Sequence, residues 1–232
     1  MRSLVFILLI KSALEVGAQA SVKGGELNIN TSRLSSIESI PLKDEPGRDG
    51  KIYLVDEIHA GTIWFGRIKL DDHLFRYDIS NDLFEIEVDG TKKYLNAYGV
   101  KHFEILNEDS TIRKFKRVGE LEETKGVFNG YFEIIHEAEI DLLGYHYNVL
   151  LPSNYIHGLD VGNRAETSVL KTKYFLRNAN NEFFEIRRKK DLLKQFSSLS
   201  SEIDRYIRKN KPDLKKRDDL KSLTIYMNTL NL

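Results

Sequence analysis

The sequence predicts an α+β protein that is mainly antiparallel β, a sandwich or partly open barrel of about ten strands, closed by two or three C-terminal helices. Three observations carry this. Between residues 51 and 186, short segments alternate apolar and polar residues and are separated by turn residues roughly every 8 to 12 positions. After residue 188 the apolar period lengthens to that of a helix. The composition, 41% apolar and 30% charged with no cysteine, is that of a globular chain stabilised by its core rather than by disulfides.

The first 20 residues have the three parts of a cleavable export signal. Arg2 is the positive start, Ser3 to Ile10 form a short apolar run, and the small residues Ala18 and Ala20 precede Ser21. The run is far below the roughly 18 to 20 residues of a membrane span, and Lys11 interrupts it. The sequence thus divides into a signal peptide (1–20), a polar flexible segment (21–50) and one β-rich domain (51–232) that becomes helical from about residue 188. A mature chain of this size buries roughly 70% of its unfolded surface, enough for a core without cross-links.

Five antiparallel pairs follow from the alternation. Segments 61–70 and 73–79 pair through Asp71-Asp72, and Leu83–Val88 turns at Asp89-Gly90 into 91–98. Segments 101–106 and 111–118 flank Asn107-Glu108-Asp109-Ser110. Segments 131–137 and 140–151 pair, and 169–176 and 182–186 flank residues 178–181. Phe-Glu-Ile recurs at 84–86, 103–105, 132–134 and 184–186 without a fixed period, so it marks half-buried strands, with Phe and Ile inward and Glu outward. Leu192, Leu193, Phe196, Leu199, Ile203, Tyr206 and Ile207 then recur at helical spacing, with Asp191 as N-cap and a break at 197–201. Pro212 and Asp213 open a last helix with Leu220, Leu223, Met227 and Leu230 as its stripe.

Charge is uneven although its sum is zero. Residues 21–170 carry 17 Lys and Arg against 26 Asp and Glu, whereas residues 171–232 carry 16 against 8. The helices are therefore expected to dock on the β domain, with apolar burial as the main term and charge setting orientation. The basic run Arg187, Arg188, Lys189 and Lys190 is the candidate contact for an anionic envelope surface.

Known chemistry is sparse. Without cysteine there is no thiolate nucleophile, no Cys-ligated zinc and no lipoprotein anchor. His136-Glu137 lacks the second histidine of a zinc-protease helix, and no nucleophile elbow, Walker loop, dinucleotide fingerprint or EF-hand spacing occurs. No catalytic, metal-binding or cofactor-binding residue is assigned. The many sheet aromatics, Trp64, Phe75, Tyr77, Tyr145 and Tyr147 among them, fit core packing first and a ligand platform second.

Tyr53-Leu54, Gly61, Phe75-Arg76-Tyr77-Asp78-Ile79, Asp82 and Glu85 form one set of marks. Gly130-Tyr131-Phe132-Glu133, Leu142-Leu143, the basic run from Tyr206 to Lys211, the stretch from Lys215 to Leu220 and Tyr226-Met227-Asn228 complete it. In this order over residues 50–230, the chain resembles a family of small secreted proteins common in the Bacteroidota. It departs at Met227, where an aromatic is expected, and at Asp78, where Asn is usual. The resemblance implies export and β-rich architecture and supplies no catalytic residues. It also implies that Asp109-Ser110-Thr111 is an O-glycosylation sequence with Ser110 as acceptor. The sequence thus points to an exported, non-enzymatic envelope protein that binds a partner or has a structural role. That partner would be an envelope protein or an anionic envelope surface, not nucleic acid. The alternative is a carrier of a lipid or other apolar ligand in a partly open barrel.

Overall fold

The computed structural model describes residues 22–23, 26–28, 48–50, 53–88, 90–118, 128–155 and 158–230. Among these described residues thirteen strands and three α-helices occur, in chain order: β1 Val22–Lys23, β2 Glu26–Asn28, β3 Arg48–Gly50, β4 His59–Phe65, β5 Ile68–Asp78, β6 Leu83–Val88, β7 Thr91–Asn96, β8 Val100–Leu106, β9 Ile112–Arg117, β10 Tyr131–His136, β11 Asp141–Leu151, β12 Glu166–Arg177, β13 Phe183–Glu185, α1 Lys189–Gln195, α2 Ser200–Asn210 and α3 Arg217–Asn228. Ten of the strands form one antiparallel sheet in the order β7-β6-β5-β4-β8-β9-β10-β11-β12-β13, and the sheet does not close. Two short strands from segment 21–50 join it in parallel: β2 beside the start of β5, and β3 beside the start of β12. The predicted architecture, mainly antiparallel β with C-terminal helices, is the observed one.

The first predicted hairpin is displaced. The chain reverses at Gly66-Arg67, with Phe65 opposite Ile68, and not at Asp71-Asp72. Gly66 takes φ +61, which a glycine reaches without steric cost. Asp72 also has positive φ, +53, but lies inside β5, where the β4 register slips between Gly61 and Ile63. The two acids therefore mark a bulge in an 11-residue strand. The other turns fall where turn residues predict them. Gly90 has φ +71 between β6 and β7, while Asp89 is outside the described residues.

Two faces of this sheet are covered, which changes the reading of Phe-Glu-Ile. Phe75, Phe84, Phe103, Phe115 and Tyr131 fill the concave side of the curled first half, with ring centroids 4.5–5.9 Å apart. Phe132, Ile134, Leu143 and Phe175 pack on the opposite side of β10–β12. The helices lay Leu192, Ile203, Leu220, Leu223 and Met227 on Ile135, Ile140, Leu142 and Leu176. Phe and Ile point into cores as expected, but only Glu104 of the first three glutamates keeps an accessible side chain. Glu85 and Glu133 are buried at 3% and 0% exposure because the face they point to is also covered. Glu85 accepts from Arg76 at 3.0 and 3.1 Å and pairs with Lys92 at 3.0 Å.

The helical end is broken as predicted, by a 3-10 turn at Ser197–Leu199 between α1 and α2. Its caps differ. Asp191 lies in the first turn of α1, held by Arg188 at 2.8 Å, and Arg188 is the N-cap. Pro212 and Asp213 precede α3, which begins at Arg217, because Asp213 is taken up by a turn whose side chain accepts from the Lys215 amide at 2.9 Å. Asn228 ties the far end of α3 to the β10–β11 turn, accepting from the Ile140 amide at 2.8 Å and donating to its carbonyl at 2.9 Å. Among the described residues no helix is long and apolar enough to cross a membrane.

Burial in the helix–sheet layer sets two expected outcomes. Truncation after Ile186 bares Ile135, Ile140, Leu142 and Leu176 and should give aggregates on size-exclusion chromatography. Leu220→Ala, at a position with no exposed surface, should lower the unfolding free energy by about 2–5 kcal/mol in urea titration.

Candidate functional site

Where β10 pairs with β11, the register ends with Phe132 opposite Tyr145, yet β11 continues to Leu151 along β12. The β5–β6 turn bends over this extension, and a cleft of about 310 Å³ lies between them. Three hydrogen bonds to Asp78 build the turn: the Ser80 and Asn81 amides at 2.9 and 3.1 Å and the Asn81 side chain at 2.7 Å. The Asp78 carboxylate is thus used as an acceptor only, a role that asparagine could fill only in part, since its amide nitrogen donates.

Asp82, at φ +53, then pins the turn to the sheet. It accepts from the Tyr77 hydroxyl at 2.7 Å and from Arg117 of β9 at 2.8 Å. Arg117 also donates to the Ala97 carbonyl at 2.7 Å and to the Tyr131 hydroxyl at 3.1 Å. Burial is the largest influence and opposes the charge on Arg117, but the hydrogen bonds and charge interactions with Asp82 and Tyr131 together outweigh it and hold the guanidinium protonated. Burial pushes the phenols of Tyr77 and Tyr131 well above their ordinary value, so both stay neutral donors. Gly130 closes the corner. Its φ is +82, and an added Cβ would lie 2.9 Å from the Tyr77 hydroxyl oxygen.

The cleft's inner wall leads to a buried ionic node. Glu133 of β10 accepts from Arg113 at 2.9 and 3.1 Å, from Arg217 of α3 at 2.9 Å, and from His146 Nε2 at 2.9 Å. The Glu133 carboxylate can only accept, so Nε2 carries a proton, and Nδ1 lies in hydrogen-bond contact with the Thr172 hydroxyl at 2.9 Å. Burial alone would raise the Glu133 pKa. The hydrogen bonds from His146 and Arg113 and the Arg113 charge overcome it and hold the carboxyl well below the ordinary range.

The outer wall is formed by Tyr145, Tyr147 and Asn148. The two tyrosine rings stack at 5.9 Å and 15°, and Lys173 sits 5.3 Å from the Tyr147 ring. The Tyr145 hydroxyl donates to the Asn129 carbonyl at 3.0 Å. Asn148 donates to Ser80 at 2.6 Å across the cleft, and its Oδ1 is buried with no hydrogen-bond partner.

The residues singled out from sequence lie elsewhere. Ala18, Ala20 and Ser21 are outside the described residues. Ser110 is exposed in the β8–β9 turn at φ +63, beside Asp109, whose side chain accepts from Thr111 at 2.6 and 3.0 Å. In the basic run, Arg187 pairs with Glu185, Arg188 with Asp191 and Lys189 with Asp204, while Lys190 is exposed. Among the described residues no group of three or more His, Asp or Glu side chains is placed to hold a metal. Of the sheet aromatics, Phe75 belongs to the core, Trp64 stacks on His102 outside it at 4.1 Å, Tyr77 belongs to the core and also lines the cleft, and Tyr145 and Tyr147 line the cleft outside that core. Arg117 and Asn148 carried no sequence signal, since their partners Asp82 and Ser80 are 35 and 68 residues away. Tyr77, Asp82, Gly130 and Tyr131 frame the cleft, with Glu133 behind it.

Acid should find the weak point of this arrangement. A carboxyl held below its ordinary value of 4.5 contributes its full stabilisation above that pH and loses it as pH falls further. Urea midpoints should therefore drop steeply below about pH 5, and Glu133→Gln should flatten that slope while costing about 3 kcal/mol at pH 7 through the stranded arginine charges. Gly130→Ala should also destabilise, by about 1–3 kcal/mol, through backbone strain and contact with Tyr77. No protein-family model, no curated protein and no solved structure matches the chain, so its functional reading rests on this geometry.

Proposed function

We propose that this chain is an exported, non-enzymatic protein of the cell envelope that works by binding, and that its partner docks at the tyrosine-lined cleft beneath the β5–β6 turn. The observation that carries the reading is a cleft of about 310 Å³ framed by side chains that hydrogen bonds and ion pairs hold in place. Asp82, Glu133 and His146 are bound in ion pairs and hydrogen bonds, which suits a rigid recognition surface better than proton transfer. The export signal at Ala18, Ala20 and Ser21 and the resemblance to secreted proteins support the compartment. Ser110, exposed in its turn, fits the O-glycan acceptor that this resemblance implies.

The basic run is the weaker docking surface, because acids of the chain itself pair with Arg187, Arg188 and Lys189. The carrier alternative is disfavoured by the packed phenylalanines of the concave side, whose rings lie 4.5–5.9 Å apart.

Two measurements test the proposal. N-terminal sequencing of the protein from its host should begin at Ser21; an intact Met1 would refute export. The mature chain should capture a component of envelope extracts that Ser80→Trp, placed on the exposed rim of the cleft, loses by at least about tenfold. Undiminished capture by a folded Ser80→Trp protein would remove the cleft from the proposal.

A further inference from the structure

The residues that line the cleft show how it lies against β11. Tyr145, His146, Tyr147, Asn148 and Leu150 all touch it. Successive side chains of a strand point to opposite faces of the sheet, so neighbours in sequence do not share a cavity set on one face. A cleft touched by four consecutive residues runs along the edge of the strand. β11 has such an edge here. Its register with β10 ends at Tyr145, while its register with β12 continues to Leu151. Among the described residues no strand pairs with the β10 side of β11 beyond that point.

The ladder determines which backbone groups face the opening. The Ile186 amide donates to the Tyr174 carbonyl at 2.8 Å, so the Tyr174 backbone is turned to β13 and away from β11. Gly144 stands opposite Tyr174, and its backbone is therefore turned away from β12, towards β10. Backbone direction alternates along a strand. Asn148 and Leu150 thus aim their amide and carbonyl groups at the open edge, and Tyr147 and Val149 aim theirs at β12.

Free edges are usually blunted by charge, proline or a covering element. From Tyr145 to Leu151 there is no proline and no Asp, Glu, Lys or Arg. Leu150 and Leu151 are 40% and 41% exposed. The β5–β6 turn stands across the cleft and reaches β11 through the Asn148–Ser80 bond, not through a backbone ladder. That bond joins side chains at an exposed position, and an entering segment displaces it without breaking the sheet. The turn also limits the occupant. About 310 Å³ beneath it admits one extended segment, not a second copy, whose stable interface needs about 800 Å² from each partner.

We infer that the cleft binds an extended peptide segment of a partner protein, which pairs with the Asn148 and Leu150 backbone and continues the sheet where β10 stops. This rests on the cleft being the docking site, and it names what docks. Backbone hydrogen bonds supply the recognition. Tyr147, Val149 and Leu151, which share one face, favour β-branched or aromatic side chains at alternate positions of the segment.

The test uses the full mature chain and capped seven-residue peptides that alternate Thr with Val, Ile or Tyr, each with a proline-centred counterpart. Amide hydrogen exchange is followed by NMR. In the free chain the Asn148 and Leu150 amides should exchange at least about tenfold faster than those of Tyr147 and Val149. At least one alternating peptide should slow them by at least about tenfold, and its proline-centred counterpart should not. Leu150→Pro removes an amide aimed at the opening and no bond to β12, so it should abolish peptide binding with little change in melting, whereas Leu150→Ala should keep it. If Leu150→Pro does not fold, the wild-type exchange readout decides alone. Four results would each overturn the inference: the two amides are as protected as Tyr147 and Val149 in the free chain, no alternating peptide slows them, the proline-centred peptides act equally, or a folded Leu150→Pro protein binds like the wild type. Protection that rises with protein concentration alone would make a second copy the occupant and overturn it too. If envelope capture is lost in Ser80→Trp but kept in Leu150→Pro, the cleft remains the docking site and only the strand pairing fails.

Discussion

The rest of the structure depends on one buried carboxylate. Glu133 sits on a central strand whose two faces are both covered, so its charge cannot reach water. A buried charge without partners is far too costly to keep, and its partners come from three separate places: Arg113 on β9, His146 on β11 and Arg217 on α3. Meeting its needs fixes how neighbouring strands align their side chains and where the last helix lies. The apolar layer of Leu220, Leu223 and Met227 supplies the larger share of docking free energy, but apolar contact is not directional. Arg217 at one end of α3 and Asn228 at the other give the helix a single seat.

A second constraint follows from the sheet being open. A closed barrel holds its curl by a continuous ladder of backbone hydrogen bonds, whereas this sheet ends at β7 and β13. Its curl is held by side chains crossing the gap. Arg117 reaches Asp82 and the Ala97 carbonyl, the Tyr131 hydroxyl reaches the carbonyls of Ala97 and Val100, and Asn148 reaches Ser80. Cross-strand ties of this kind leave space between them where a strand stops short, and the cleft is that space. The same polar groups that hold the curl therefore furnish the walls of the cleft, which is why those walls are held in place.

Some of this was legible in residue order. Alternation marked the central and C-terminal strands, the change of period marked the helices, and Ser197–Leu199 did break them. The first hairpin was not legible, because Asp71-Asp72 and Gly66-Arg67 are both acceptable turns. Pairing across β4 and β5, with a bulge to absorb the extra residue, decided between them. The outward reading of Glu133 failed for a related reason. Alternation reports which residues share a face, and only the course of the chain through space says what lies over that face. The cleft was less legible still: its aromatics were visible as aromatics, but Phe75 is core and Tyr147 is wall, a difference set by neighbours far away in the chain.

The sequence by itself determined the period of each element, the change from strands to helices, the absence of thiol chemistry and the opposite charge of the two parts of the chain. These are local or additive properties, set by backbone stereochemistry and by which side chains are present. The tertiary structure alone decided that Glu133, Arg113, His146 and Arg217 meet, that the β5–β6 turn lies over the free length of β11, and that Asn148 keeps one oxygen unmatched. Each joins residues far apart in the chain, from 13 for His146 and Glu133 to 84 for Arg217 and Glu133. Such meetings follow from where a twisted, open sheet brings its strands. No window of neighbouring residues contains that information.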